Sequence, residues 1–269
     1  MKKIIVAYLS SGFVDIKSLK KFLKNLKKFN PGYPHEIIIC LKKLEHFEKR
    51  KRIKLIKRFN ISFFDDEEDI NDHEWGTLKR LCELNKNRVI FWMNDHSYPH
   101  SKNWLKKIMQ YYQRKTFLGT SGSYSSHYSN SFFRNKNDNY LKAIFKIIFF
   151  YFNVPKFPNA HVRTTGFFIH AKDFMEFMKN KVVKTKMRSF LIESGNNGLS
   201  NFFIRKKYNI YIVNKNGKKF SLKNMRDSLT FAYGMQDKYL ISDNHIRNYI
   251  SLSKKDKLKK SKQVWGKKF

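Results

Sequence analysis

FWMNDHSYPHSKNW, residues Phe91–Trp104, begins inside an apolar run and then turns polar at once. The run Val89-Ile90-Phe91-Trp92-Met93 shows no alternation, which suits a strand buried on both faces, although five residues fit a turn of helix as well. It stops on Asn94-Asp95-His96. Ser101 stands where a helix N-cap is expected, and Trp104, Leu105, Ile108, Met109 and Tyr112 follow at helical spacing. The triplet therefore falls at the C-terminal end of a central strand. In open α/β sheets that is where ligands bind.

Working back from there, Lys3–Tyr8 reads as a first strand that ends on Ser10-Ser11-Gly12. Asp15 caps a helix whose apolar face is Ile16, Leu19, Phe22, Leu23, Leu26 and Phe29, and Asn30-Pro31-Gly32 breaks it. Glu36–Leu41 is a second strand, followed by a charged helical stretch from Leu44 to Phe59. Ile61–Phe64 is a third strand, running into the acidic cluster that starts at Asp65 and Asp66. Asn71 and Glu74 have capping-box spacing, and Trp75, Leu78, Leu81 and Cys82 form the next helical face. Four strands alternating with helices imply a parallel sheet with right-handed crossovers.

The later half is less regular. A strand is expected at Phe117–Gly119, an apolar helix at Tyr140–Phe152, a strand near Gly166–His170, and another at Ile210–Val213. No internal repeat or long linker divides the chain. The expected organisation is one domain over residues 1–250, with a nucleotide-binding half (1–115) and an acceptor half (116–250), then a basic tail (251–269).

At 269 residues and 41% hydrophobic, the chain is long and apolar enough for a real core, which argues against disorder. Cys40 and Cys82 lie inside apolar segments and read as buried free thiols of a reducing compartment. The apolar stretch of the N-terminus is shorter than a signal-peptide core, and nothing approaches a membrane span. A cytoplasmic protein is the expectation. The formal charge of +35 attracts polyanions such as nucleic acid, anionic lipid or phosphate-bearing substrates. No P-loop, nucleophile elbow, paired C-x-x-C, H-E-x-x-H or dinucleotide fingerprint occurs.

The order of these features resembles a GT-A glycosyltransferase. In that family a carboxylate motif follows the apolar strand and holds a divalent ion against the donor's diphosphate. YPHSKNWL is similar to the P..NWL that trails the motif in family-2-like and capsule-locus enzymes. HVRTTGFFI is similar to a stretch of rhamnan-synthesis-type enzymes, and ESGNNGLS and ISDNHIRNY look like blocks of the same kind. The resemblance covers residues 3–250. It implies an α/β fold with a mostly parallel central sheet flanked by helices, a Rossmann-like N-terminal half and an irregular α+β C-terminal half.

The resemblance also assigns residues. Asn94 takes the first Asp position of the motif and His96 the last, so Asp95 and His96 are the expected ligands of Mn²⁺ or Mg²⁺. A neutral Asn at 94 weakens such a site, and basic side chains could stand in for the ion. Ser10, Ser11, Asp65 and Asp66 are placed to meet the nucleotide's base or ribose, with Lys79 and Arg80 on the helix leading into the motif strand. Arg163, beside Thr164 and Thr165, suits a bidentate grip on the diphosphate. His161, Asp243 and Asn244, with Arg247, are expected near the acceptor. Glu193 follows an apolar segment and precedes a Gly- and Asn-rich break, and is the expected general base.

The activity these residues imply is transfer of a sugar from a nucleotide-diphosphate donor to a glycan or lipid-linked acceptor. The basic surface and the Tyr140–Phe152 helix suit peripheral contact with an anionic membrane at the inner face of the plasma membrane. Two alternatives stay open. One is a non-catalytic nucleic-acid-binding protein, for which the charge and the 16% aromatic content speak. The other is a degenerate fold that binds nucleotide-sugars without turnover. With the aromatics mostly inside apolar runs and no nucleic-acid signature, nucleic acid is not the expected partner.

Overall fold

The structure is a computed structural model and describes residues 4–67, 72–131 and 140–266. The expected cap Asn71 lies outside the described residues, as does Lys3 at the start of the first strand.

The N-terminal half alternates strictly. β1 (Ile4–Ser11), α1 (Ile16–Lys28), β2 (His35–Lys42), α2 (His46–Lys57), β3 (Ser62–Asp66), α3 (His73–Leu84) and β4 (Val89–Met93) follow one another. Asp15 caps α1 by accepting the Lys17 amide at 2.7 Å, and Lys27 and Lys28 complement the dipole in its last turn. Leu19, Phe22 and Leu23 are its buried face. Gly12 makes the turn out of β1 possible, because a Cβ there would come within 1.9 Å of the Lys43 carbonyl.

Beyond β4 come β5 (Tyr98–Pro99), α4 (Trp104–Met109), β6 (Thr116–Gly119), β7 (Gly122–Ser123), α5 (His127–Ser131), α6 (Tyr140–Asn153), β8 (His161–Val162) and β9 (Phe167–His170). Then α7 (Ala171–Met178), α8 (Lys186–Ser194), α9 (Leu199–Arg205), β10 (Asn209–Val213), β11 (Lys219–Ser221), β12 (Ile241–Ser242), α10 (Asn244–Ser251) and α11 (Lys254–Trp265) complete the chain.

Eight strands form one sheet in the order β11-β10-β6-β9-β4-β1-β2-β3. Pairings β1–β2, β2–β3, β1–β4 and β6–β10 are parallel, while β9 is antiparallel to both β4 and β6. This is a mostly parallel central sheet, as the sequence resemblance implies. Its consequence is geometric. The C-terminal ends of β1, β2, β3, β4 and β6 open on one edge, and the start of β9 opens on the same edge.

Both faces of the sheet are covered. Ile5, Ala7, Leu9, Ile90 and Trp92 belong to one apolar cluster, and Ile4, Val6, Tyr8, Phe91 and Met93 to the other. Period-2 strand geometry divides each unbroken apolar run between the two layers. Cys40 and Cys82 are free and buried, and burial pushes both thiols up.

Some expectations need correction. Ser101 does not cap α4: the helix starts behind Asn103, which is left-handed, and the Ser101 hydroxyl accepts from Lys107 Nζ at 3.1 Å. The third strand runs on through Asp66, so Asp65 and Asp66 lie within it and not beyond it. The basic stretch after residue 250 is helical through Trp265, with Ser261, Val264 and Trp265 buried. The apolar α6 lies at the surface, where Phe150 alone among its described side chains is buried. Among the described residues, no helix is long and apolar enough to cross a membrane.

Candidate active site

A cleft of about 770 Å³ lies at the edge where the strand ends meet. Ser11, Asn94, Asp95, His96, His161, Arg163, Thr164, Glu193, Asp243 and Asn244 all line it. These come from five separate parts of the chain, and the sheet order brings them together.

Across the β1–β4 pair, Ser11 Oγ donates to Asp95 Oδ2 at 2.6 Å and the Tyr8 hydroxyl donates to the Asp95 carbonyl at 2.7 Å. Burial, helped by the Asp95 charge, raises the Tyr8 hydroxyl and keeps it a donor. Ser10 does not line the cleft. It is buried on the opposite side of β1, where its hydroxyl accepts from Arg52 Nη1 at 2.7 Å, and Arg52 also holds the Val14 carbonyl at 2.6 Å.

Asn94 is spent inside its own turn. Its Oδ1 accepts the His96 amide at 3.0 Å and the Ser97 hydroxyl at 2.8 Å, while Nδ2 donates to the Thr164 carbonyl at 3.3 Å. That bond ties the motif to the loop before β9. Arg247 supports the turn by donating to the His96 carbonyl at 3.2 Å.

The acidic pair at the end of β3 splits, because neighbouring strand residues face opposite ways. Asp66 is buried and fully engaged: Arg80 Nε and Nη2 donate at 2.6 and 2.8 Å, Thr77 Oγ1 at 2.5 Å and Lys42 Nζ at 3.2 Å. Burial would raise its carboxyl, but Arg80, Thr77 and Lys42 outweigh that and hold it below the usual range. Lys42 and Arg80 also reach Asp72, at 2.6 and 2.7 Å. Asp66 and Arg80 are thus bonded to each other, and Arg80 lines neither the cleft nor the neighbouring hollow. Asp65 is partly exposed and pairs with Lys49 at 2.5 Å, and with the buried Asp66 it lines a second hollow of about 490 Å³ that shares Phe13 and Lys42 with the cleft. Lys79 lies on the outer face of α3, 3.9 Å from Glu83, and lines neither space.

Opposite the motif, Arg163 lies over the Phe231 ring, 3.5 Å from its centre. It donates to Thr165 Oγ1 at 3.0 Å, Ser121 Oγ at 3.3 Å and Asp243 Oδ2 at 3.0 Å. Asp243 in turn caps α10 by accepting the Ile246 amide at 2.7 Å, and it accepts the Thr165 hydroxyl at 2.5 Å. Burial alone would raise Asp243, yet Arg163 and these two donors hold it low. The buried pair fixes the Arg163 guanidinium in one orientation. Asn244 turns its Oδ1 onto the His245 amide at 3.0 Å.

Glu193, in the last turn of α8, is half-buried, and its Oε1 accepts the Thr164 amide at 3.1 Å. One carboxylate oxygen is therefore anchored to the loop that carries Arg163. His161 donates from Nδ1 to the Asn159 carbonyl at 2.8 Å, and burial pushes its pKa down to about 4. His127 stacks on Phe190, centroids 4.3 Å apart, and burial likewise pushes it to about 4. Both are neutral imidazoles at ordinary pH.

A divalent ion, as the family resemblance implies, would be held by Asp95 and His96, whose Oδ1 and Nε2 lie 3.8 Å apart. One oxygen and one imidazole nitrogen suit the edge of a Mn²⁺ shell. Asn94 adds no ligand, and among the described residues no group of three or more His, Cys, Asp or Glu is arranged to hold a metal ion. The protein offers two ligands, so phosphate oxygens and water would have to complete the shell.

The sequence reading missed Lys186 and Lys260, both of which line the cleft, together with His73, His127 and His245. Lys260 sits in a run of lysines with nothing in its local pattern to mark it. His127 carried one usable signal, a lone histidine in the polar stretch GTSGSYSSHYSN.

No family model matches the sequence, and no curated protein matches it. Among solved structures the chain is similar to GalNAc-T7 with UDP, GalNAc and Mn²⁺, at 17% identity over 45% of this chain and 23% of that one, TM-score 0.37. It is also similar to a mannosyltransferase from Pyrobaculum calidifontis in complex with GDP-Man and Mn²⁺, at 9% identity over 44% and 34%, TM-score 0.36. A putative glucose-1-phosphate thymidylyltransferase from Bacillus anthracis matches more broadly, at 10% identity over 77% and 85%, TM-score 0.46. The chain spans about a quarter and a third of the length of the first two. These are likenesses of outline alone.

Proposed function

We propose that this chain is a glycosyltransferase that moves a sugar from a nucleoside-diphosphate donor to a hydroxyl of a glycan or lipid-linked acceptor. The observation that carries this reading is the convergence of Ser11, Asp95, His96, Arg163 and Glu193 on one cleft at the ends of parallel strands. The reaction has two needs, and the cleft offers a group for each. As the bond from the anomeric carbon to the diphosphate breaks, negative charge grows on the leaving group and must be met by cations. Arg163, fixed over Phe231, faces that requirement, and a divalent ion at Asp95 and His96 would add Lewis-acid stabilisation when bound. The acceptor hydroxyl must lose its proton to a positioned base, and Glu193 has one oxygen anchored on Thr164 and a carboxylate at the cleft wall.

The base of the nucleotide belongs in the hollow beside the cleft, where Asp65 is the partly exposed acid. His161, Asn244 and the His127–Phe190 stack line the other end, where the acceptor enters. A role in bacterial surface polysaccharide synthesis rests on the capsule- and rhamnan-type blocks of the sequence. Placement at the inner face of an anionic membrane is supported by α6, where Leu141, Phe145, Ile148 and Phe152 are each more than half exposed and Lys142 and Lys146 accompany them.

A nucleic-acid-binding role draws less support. All four tryptophans, Trp75, Trp92, Trp104 and Trp265, are buried and present no face to a base. The test is a thermal-shift series with UDP-, GDP-, dTDP- and ADP-sugars, each with and without Mn²⁺. One of them should raise the melting temperature, since a ligand that binds only the folded form stabilises it. No shift with any nucleotide, alongside tight salt-sensitive binding of single-stranded RNA, would replace this reading.

A further inference from the structure

The last helix of the chain feeds the cleft. Along α11, Lys260, Ser261, Val264 and Trp265 share one face, which packs inward while Lys254, Lys255 and Lys259 stay in solvent. The helix is pinned by side-chain bonds to the segment that backs Arg163. Trp265 Nε1 donates to the Phe231 carbonyl at 3.1 Å, and Ser261 Oγ donates to the Ala232 carbonyl at 2.7 Å. Phe231 is also the residue whose ring carries the Arg163 guanidinium. One short segment therefore sets the positions of both Arg163 and Lys260.

Lys260 differs from the surface lysines around it. It is half-buried at the cleft wall, and among the described residues its ammonium forms no ion pair or hydrogen bond. The cleft's four carboxylates are engaged elsewhere: Asp243 with Arg163, Asp95 with Ser11, Glu193 with the Thr164 amide, and Glu74 with the Ser189 hydroxyl at 3.3 Å. Burial, and then the charge of Arg163, pushes the Lys260 ammonium down. A half-buried cation that lines the same cleft as a second cation and makes no ion pair of its own is an unfavourable arrangement. It becomes favourable when an anion with several acceptor oxygens enters the cleft that both residues line.

The opposite wall has the complementary deficit. Asn94 stands where a metal-binding carboxylate is expected and its amide is consumed in the turn, which leaves two metal ligands. We propose that Lys260, delivered by the C-terminal helix together with Arg163, binds the donor's diphosphate, so that this cleft holds a nucleoside diphosphate without a divalent ion. The proposal rests on the transferase reading above and adds to it the residue and the charge that do this work. In it Lys260 is a binding residue that touches substrate phosphate oxygens through charge-assisted hydrogen bonds.

The experiment is calorimetric titration of the full chain in EDTA with inorganic pyrophosphate, with UDP, GDP, dTDP and ADP, and with farnesyl diphosphate. The variants are Lys260→Met, which keeps the aliphatic stem, Lys260→Arg, which keeps the charge, and Lys259→Met on the solvent face of the same helix. The expected result is binding of at least one nucleoside diphosphate in EDTA, weakened about 10- to 100-fold in Lys260→Met. Lys260→Arg should retain most of that affinity, and Lys259→Met should match the wild type. Melting temperatures of all three should agree with the wild type, which separates loss of binding from loss of fold. Wild-type binding that appears only with Mn²⁺, or that Lys260→Met leaves intact, overturns the proposal and spares the transferase reading. Lys260-dependent binding of farnesyl diphosphate alone overturns it too, by moving the site from donor to lipid acceptor. If the wild type binds no diphosphate with or without Mn²⁺, the transferase reading falls and takes this inference with it.

Discussion

Ser11 Oγ donates to Asp95 Oδ2 at 2.6 Å, joining the ends of two adjacent parallel strands. The bond occupies one carboxylate oxygen and leaves Oδ1 toward His96. Ser11→Ala should free the carboxylate to rotate and weaken the increment that Mn²⁺ adds to nucleotide affinity over EDTA by up to roughly 10-fold, the scale of one hydrogen bond to a charged group. Calorimetry in Mn²⁺ and in EDTA measures it. An equal increment in the variant would mean that Asp95 needs no orienting partner.

The two neighbouring aspartates of β3 should separate stability from binding. Asp66 is enclosed by Arg80, Thr77 and Lys42, and removing one side of such a buried network typically costs about 3–5 kcal/mol. Asp66→Ala should lower the melting temperature by roughly 6–20 °C. Asp65→Ala loses a partly exposed pair with Lys49, worth at most about 1 kcal/mol, and should instead weaken nucleotide binding. Reversed behaviour would exchange the roles assigned to the two residues.

Stability should fall in mild acid. His127 and His161 titrate at about 4 in the folded chain, for reasons of burial, against about 6.5 in an unfolded one. Between those values the unfolded chain binds protons that the folded chain refuses, so stability is complete above about pH 6.5 and is lost as the pH falls toward about 4. Asp66 and Asp243, held low in the folded state, extend the loss to more acid conditions, below the ordinary carboxylate value. Melting curves from about pH 4 to 8 should climb and then level. His127→Phe, which keeps the stack on Phe190, should flatten part of the climb, and a wild-type profile flat from about pH 4.5 to 7 would remove these histidines from the account.

The exposed face of α6 invites a test of its own. Phe145→Ser with Ile148→Ser removes two large apolar side chains from the surface and none from the core. Co-sedimentation with vesicles of mixed phosphatidylglycerol and phosphatidylcholine should drop several-fold while the melting temperature holds. Vesicle binding unaffected by the pair, and abolished by salt alone, would assign it to the lysine-rich surface as a whole.

The β1–β4 half is legible in the sequence because its strands are parallel, buried on both faces and separated by amphipathic helices, all of which local patterns record. Local pattern marks β9 as a strand but not its place, because the antiparallel register of Phe167–His170 between β4 and β6 depends on partners far along the chain. The site residues divide in the same way. Asp95, His96 and Glu193 stand next to apolar segments that end abruptly, and that ending is visible. Asp66 and Arg80 look ligand-facing in sequence because a strand end and a helix face do not reveal that Lys42 and Asp72 complete a network with them. Lys260 has no local mark at all, since its meaning comes from Trp265 and Ser261 docking on Phe231 and Ala232.

Glu193 offers the sharpest test of mechanism. Its Oε1 accepts the Thr164 amide at 3.1 Å, an interaction that a glutamine carbonyl reproduces. Glu193→Gln therefore keeps the α8-to-loop tether, the side-chain volume and the position of Arg163 one residue before Thr164. What it removes is the capacity to take a proton from the acceptor. General-base catalysis typically contributes about 10²–10⁴-fold in rate, so transfer should fall by that factor while donor affinity stays within about 2-fold of wild type. Glu193→Ala should do more, loosening the loop and weakening donor binding as well, because the Thr164 amide then loses its partner. Rates of sugar transfer and calorimetric donor affinities, measured on both variants, separate the two effects. A glutamine variant that transfers sugar at the wild-type rate would leave Glu193 as a loop tether and send the search for the base to the other cleft-lining groups, with His127, neutral and stacked on Phe190, as the next to test.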